Sequence, residues 1–223
     1  MRLAAAALAT VLLTGSALAQ TASGPQKIKG TITSFAAPVL TVKTVKGESL
    51  AITLAPEARV MGNQKSDFAS IKTGDFIAST SAAGKDGRLQ AEELRIFPEP
   101  LRGLGEGQYP YDNGSKSLTN GTVTTAAGAV KTKGGVLKLS FHGSTPGPNG
   151  LCSGHAPAPG QGPCTGETEI VVSPKTPVAN WVIGDQTWLE PGKAVSLFAV
   201  TDAAGKPVTY GVLVEHNGVK PLP

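Results

Sequence analysis

A self-match at constant offset restricts the fold more than any other feature. The stretch "AITLAPEARV" (51–60) lies over "EIVVSPKTPV" (169–178), with Ile52 on Ile170, Leu54 on Val172, Pro56 on Pro174 and Val60 on Val178, each pair 118 positions apart. The same offset holds through Asp67/Asp185, Ile71/Leu189, Gly74/Gly192, Ile77/Val195, Gly87/Gly205, Leu94/Val212 and Ile96/Val214. Apolar residues meet apolar and glycine meets glycine, so the chain reads as a duplicated module. The front of the module repeats at shorter offsets: "GTI" (30–32) matches "GTV" (121–123) at 91, and "VLTV" (39–42) matches "VLKL" (136–139) at 97. The jump from 97 to 118 places an insertion of 21 residues in the second copy, within about 143–165, and both cysteines fall inside it.

Within the first copy, "KIKGTITSF", "PVLTVKT", "ESLAITLA", "DFIASTS" and "RLQAEELRIF" each carry apolar residues at alternate positions, the pattern of half-buried strands. Lys46-Gly47 and Asp86-Gly87 mark hairpin turns. Between the third and fourth strands, "KSDFASIKTGD" suits one short helical turn, capped by Asp67 and ended by Gly74. Only 16% of residues are charged, while Gly (28) and Pro (17) are frequent, which favours strands and tight turns over helices. The expected fold is all-β: two tandem five-stranded OB-like barrels, with SH3-like barrels as the competing plan. The expected division is barrel one over 20–97, a linker over 98–118, and barrel two over 119–223 with the inserted loop at about 143–165. Pro, Gly and Asn in 98–118 argue against a long strand or helix there, and Tyr109 and Tyr111 are placed to pin the linker to a barrel surface.

The N-terminus, "MRLAAAALATVLLTGSALAQ", has one basic residue, an apolar run from Leu3 to Leu13 and a small-residue Ala17-Leu18-Ala19 site. This reads as a signal peptide over 1–19, cleaved before Gln20, and it sends the protein to the bacterial periplasm with no membrane span after cleavage. The formal net charge of +4 becomes +3 once Arg2 is removed, and the basic residues are scattered singly. That distribution argues against nucleic acid as a partner.

The landmarks Gly30 and Ile32, Gly74-Asp75 and Asp86-Gly87, with "RIFPEPLRGLGEG" (95–107) and "LTNGTV" (118–123), resemble a family of exported bacterial proteins built from a repeated OB-like domain of unknown function. The resemblance is to its two-module branch, sometimes labelled metal transporter permease. It implies a fold and a compartment and brings no catalytic residues. The second copy departs from the family pattern, with Lys193 in place of Asp75 and Ala204 in place of Asp86.

In the insertion, "LCSGHAPAPGQGPC" (151–164) holds Cys152, His155 and Cys164. A Gly/Pro-rich loop in an exported chain favours a disulfide, worth on the order of 3 kcal/mol by loop entropy. The alternative makes Cys152, His155 and Cys164, with His142, ligands for zinc or copper, the only cofactors the sequence suggests. Catalytic signatures such as Gly-x-Ser-x-Gly and His-Glu-x-x-His are absent from the sequence, and adjacent Glu92 and Glu93 face opposite sides of a strand. His216 is read as a surface residue. Several aromatic residues sit at alternating apolar positions and are read as core; Trp181 and Trp188, assigned between the third and fourth strands of copy two, are candidates to line a groove or to cap the barrel end. The expected function is therefore a non-enzymatic binding or accessory protein that contacts a protein partner or small envelope ligand, with Tyr109, Tyr111, Trp181 and Trp188 as contact residues. The alternative is a zinc- or copper-binding protein.

Overall fold

The computed structural model describes residues 25–127 and 134–222; the expected leader and its cleavage site lie outside them. The fold is all-β. Strands β1 (Gln26–Ala36), β2 (Val39–Thr44), β3 (Ser49–Ser66), β4 (Phe76–Ala83) and β5 (Leu89–Ile96) make the first half, β6 (Gly107–Tyr111) lies between the halves, and β7 (Lys116–Ala127) opens the second. The second half supplies β8 (Gly135–Gly143), β9 (Thr145–Pro146), β10 (Cys152–His155), β11 (Cys164–Val172), β12 (Val178–Gly184), β13 (Ala194–Thr201) and β14 (Pro207–Val214). Among the described residues, no helix is long and apolar enough to cross a membrane.

Strands β1, β2, β3, β14 and β13 pair in that order, and β13 returns to β1, closing a five-stranded barrel. A second circuit of pairings runs β4, β5, β11, β8, β7 and back to β4. Each ring therefore takes three strands from one half of the chain and two from the other. One barrel per half, over 20–97 and 119–223, is not how the strands pair.

The physical reason lies in β3. Its 18 residues far exceed the usual strand of about five or six. It is a stave of the barrel as far as Gly62, and its last seven residues pair antiparallel with β12, from Val60 opposite Gly184 to Ser66 opposite Val178, so that Val60–Gly62 lie between β14 and β12. The chain then enters the second ring as β4. In the other half, β11 and β12 run the same course in the opposite direction and deliver β13 to the barrel. Asn63 faces Trp181 at the centre of the crossing.

Around this crossing the registers of the two rings coincide. Ile32 pairs with Val42 where Val123 pairs with Leu139, and the irregularity between Ile32 and Ser34 recurs between Val123 and Thr125. Val60 beside Val212 corresponds to Val178 beside Leu94, each residue displaced by 118. The glycine of "GTI" and "GTV" has a packing reason. A Cβ at Gly30 would strike the carbonyl oxygen of Lys43, and one at Gly121 would lie 2.6 Å from that of Ser140. The two short turns between third and fourth strands are also alike: Asp67 caps Phe68–Ser70 and Asp185 caps Gln186–Trp188, with carboxylate acceptors 3.1 and 2.8 Å from backbone N–H groups. The first turn ends at Ile71, three residues before Gly74.

Inward-facing residues fill each ring. Ile32, Leu40, Ile52, Val195 and Val212 pack inside the barrel, while Ile77, Leu94, Leu137, Leu139 and Ile170 pack inside the second ring. A third cluster, including Met61, Phe76, Phe97 and Leu213, lies with Trp181 between them.

Two outcomes test this arrangement. Directly opposed antiparallel residues lie about 4.5–5.5 Å apart at Cα, within disulfide reach. Thr31→Cys with Ala194→Cys, opposed across β1 and β13, will therefore cross-link on oxidation, read by intact mass after alkylation; if each half closed its own ring, these thiols would stay free. Gly121→Ala will cost about 1–3 kcal/mol in denaturant unfolding through overpacking.

Candidate functional site

The strands facing each other across the crossing leave a cleft between the rings. A cavity of about 420 Å³ occupies it, floored by Met61 and Trp181 and walled by Phe198 and Leu213 from the barrel and Ala78 and Arg95 from the second ring. The expected linker forms the remaining wall and is more structured than composition suggests. It contains a 3-10 turn at Glu99–Leu101 and strand β6, which pairs with β7. Leu104, Gly105, Tyr109 and Tyr111 from this segment all line the cavity.

The aromatic rings meet at steep angles. Phe97 lies 5.3 Å from Phe76 at 77° and 4.5 Å from Trp181 at 56°. Tyr111 approaches Phe198 at 6.5 Å and 70°. The Arg95 guanidinium lies 5.9 Å from the Trp181 ring centre, within cation–π range.

At one end the cavity adjoins a polar recess of about 200 Å³, with Lys27, Thr80 and Tyr111 lining both. The Lys27 ammonium donates to the Tyr111 hydroxyl at 2.7 Å. Glu93, 4% exposed, accepts from the Thr80 hydroxyl at 2.9 Å and from Arg95. Lys116 pairs with Glu92 at 2.8 Å and Asp112 at 3.4 Å. Burial lowers the Lys27 pKa against a partial upward pull from Glu93, and Arg95 adds to the lowering; Lys29 is lowered by burial and by Lys27. Burial pushes Tyr109 up to about 12. Glu93 Oε2, Arg95 Nε, Asn120 Oδ1 and Trp181 Nε1 are buried without a hydrogen-bond partner among the described residues. All four belong to residues lining the cavity or the recess. The fifth such atom among the described residues, Asn63 Oδ1, belongs to the residue paired with Trp181 in the crossing, and each orphan costs about 1–3 kcal/mol.

The inserted loop builds the outer side of the linker wall. Cys152 and Cys164 form a disulfide, with Cα atoms 5.7 Å apart. Strand β10 pairs with β6, placing His155 opposite Gly107, and the His155 ring lies 3.7 Å from that of Tyr109. A Cβ at Gly107 would collide with the Gly154 carbonyl oxygen, and its φ of +136° suits glycine. Glu106, buried, clamps the loop: one carboxylate oxygen accepts from the His142 backbone and Nδ1, both at 2.9 Å, and the other from Gly160 N–H at 2.7 Å. Burial alone would raise its pKa, but these donors outweigh it and hold the carboxyl below its ordinary range.

Of the residues the sequence singles out, Tyr109, Tyr111 and Trp181 come together in one cavity. Trp181 belongs to β12, within a strand rather than between strands, because β3 extends to pair with it. Trp188 lies elsewhere, stacked on His216 at 3.7 Å and 15°. The disulfide leaves no thiolate at Cys152 or Cys164 to join His142 and His155, whose rings are engaged by Glu106 and Tyr109. Among the described residues, no group of three His, Cys, Asp or Glu could hold a metal ion. Asp75 and Asp86, the family landmarks, serve turns, accepting from Lys72 N–H at 2.8 Å and Arg88 Nε–H at 2.7 Å.

Sequence reasoning gave no site role to Lys27, Glu93, Arg95, Phe97, Phe198 or Leu213. A signal was present for Phe198. With Val195 and Leu197 facing inward, alternation puts Phe198 and Val200 on the outer face, and Phe198 is 46% exposed rather than core.

The clamp carries a prediction. Glu106→Gln turns one acceptor into a donor facing an N–H, and will cost about 1–3 kcal/mol at pH 7 in denaturant unfolding. Because the folded pKa is depressed, the carboxylate's contribution is present above the unfolded value near 4.5 and lost as pH falls through the folded one. The deficit of the variant will therefore shrink in acid; an equal deficit at pH 7 and below pH 4 would refute the assignment.

No protein-family model, curated protein or solved structure matches this chain.

Proposed function

We propose that this is a non-enzymatic binding protein of the bacterial periplasm, built from a duplicated OB-like module, that holds a small apolar molecule in the cleft between its two rings. The observation that carries this reading is the cavity of about 420 Å³, walled by Phe97, Trp181, Phe198, Leu213 and the tyrosine-bearing linker. Its size and its mixture of apolar walls with few polar groups match the general character of small-molecule sites. The acidic groups beside it are bound up in ion pairs, Glu93 with Arg95 and Glu92 with Lys116, an arrangement suited to holding and orienting rather than to proton transfer. The disulfide loop supports the reading, since it braces Tyr109 through His155.

The neutral apolar fluorophore N-phenyl-1-naphthylamine will bind saturably at one site per chain, with enhanced emission. Val200→Trp fills part of the trough from the outer face of β13 and will weaken binding at least tenfold without shifting the thermal midpoint. Absence of saturable binding by the unsubstituted protein, or equal binding by the variant, would sink the proposal.

A further inference from the structure

The cleft is chemically one-sided, although the strands around it are equivalent. Lys27 pairs with Phe198 across β1 and β13, and the corresponding pair across β7 and β4 is Leu118 with Thr80. Arg95 on β5 corresponds to Leu213 on β14, displaced by 118. Matching backbone positions thus carry a cation or hydroxyl at one place and an apolar residue at the other. The outcome is a trough that is apolar along most of its length and charged at one end.

At the charged end, Lys27, Lys29, Arg95 and Lys116 meet Glu92, Glu93 and Asp112. Lys116 holds Glu92 and Asp112, and Arg95 holds Glu93. Lys27 and Lys29 stand two residues apart on β1, on one face of the strand, and Lys27 lines both recess and trough. The recess itself holds three cations to three carboxylates, and Arg95, which lines the trough beside it, brings the charged end to four cations against three carboxylates.

The trough's shape bears on the body of the ligand. Of the rings lining the trough, Phe97 meets Trp181 at 56° and Tyr111 meets Phe198 at 70°, so neither touching pair stacks in parallel, while Met61, Leu104, Leu118 and Leu213 provide adaptable aliphatic contact.

Resting on the binding function proposed above, we infer that the ligand is a single-chain alkyl carboxylate, with its head at Lys27 and Lys29 and its chain along the trough toward Trp181 and Leu213. Burial lowers both lysine pKa values, Glu93 opposes it at each, and repulsion from Arg95 and Lys116 at Lys27 and from Lys27 at Lys29 adds to the lowering; an anionic head relieves that repulsion.

The test is displacement of bound N-phenyl-1-naphthylamine from the full chain by decanoate, decan-1-ol, decyltrimethylammonium and naphthalene-1-acetate. Decanoate will displace at least tenfold more effectively than the other three. Combined Lys27→Gln and Lys29→Gln will abolish that advantage and leave decan-1-ol unchanged, whereas Lys43→Gln will keep the advantage. If decan-1-ol or the ammonium matches decanoate, the acidic head is refuted; if naphthalene-1-acetate does, the alkyl chain is refuted. In both cases fluorophore binding keeps the cleft reading intact. Failure of the fluorophore itself to bind overturns both readings together.

Discussion

The antiparallel ladder between the end of β3 and β12 is the contact on which the rest of the fold depends. Once Val60–Ser66 lies against Val178–Gly184, each half of the chain is carried past its own ring, and its last two strands have only the other half's ring to close. Neither ring is complete without the other half. The pairing of β14 beside β3 is parallel, as is that of β5 beside β11 and β12. Both parallel seams bring together strands distant in sequence. Such long-range pairing orders a large loop before its contacts are made, which favours slow folding.

The same ladder creates the cleft. Two rings joined edge to edge through a shared pair of strands must diverge on one side of the joint. There, residues that alternation directs away from both ring interiors face one another. Met61, Phe97 and Leu213 are buried on this side, in a cluster separate from either ring's filling. This third cluster does more than glue the rings together, because it also forms the floor and walls of a space that neither ring encloses.

Much of the fold was legible in the sequence, and the part that was not has a definite physical cause. The strand positions, the hairpin glycines and the Asp67 cap follow from local chemistry, and the residue matches at 97 and 118 recur as strand registers. The exchange of β4–β5 and β13–β14 between rings left no trace in those patterns. With matching registers, Ile77 and Leu94 alternate in the same way whether they close their own half's ring or the other's. The one available clue was the length of β3, disguised by Pro56 and Gly62, which locally suggest that a strand should stop; pairing with β12 overrode that tendency. The linker's composition argues only against a long strand or helix, and the short β6 escapes it for a related reason. Gly107 looks like loop composition, but glycine is what allows β10 to approach β6. At the site, Tyr109, Tyr111 and Trp181 could be named as contact residues because aromatic side chains are conspicuous. Lys27 and Arg95 could not, since their significance arises from the ring across the cleft.

The segments that break the correspondence between halves converge on the cleft. The chain leaving β5 becomes the linker wall, whereas the chain leaving β14 turns to stack His216 on Trp188 and to receive a hydrogen bond at the Lys220 carbonyl from buried Asn63. The insertion, present in one half only, then pairs with the linker through β10 and is held there by Glu106 and the disulfide. A Gly/Pro-rich loop closed by one disulfide has little apolar surface to order itself, whereas the linker beneath it is anchored by Leu101 and Leu104 in the third cluster. The loop gains order from the linker, and their joint product is a fixed Tyr109 against the trough. The disulfide, whose sequence setting suggested only a staple, therefore bears on the cleft through β10, His155 and Tyr109, without touching the cavity itself.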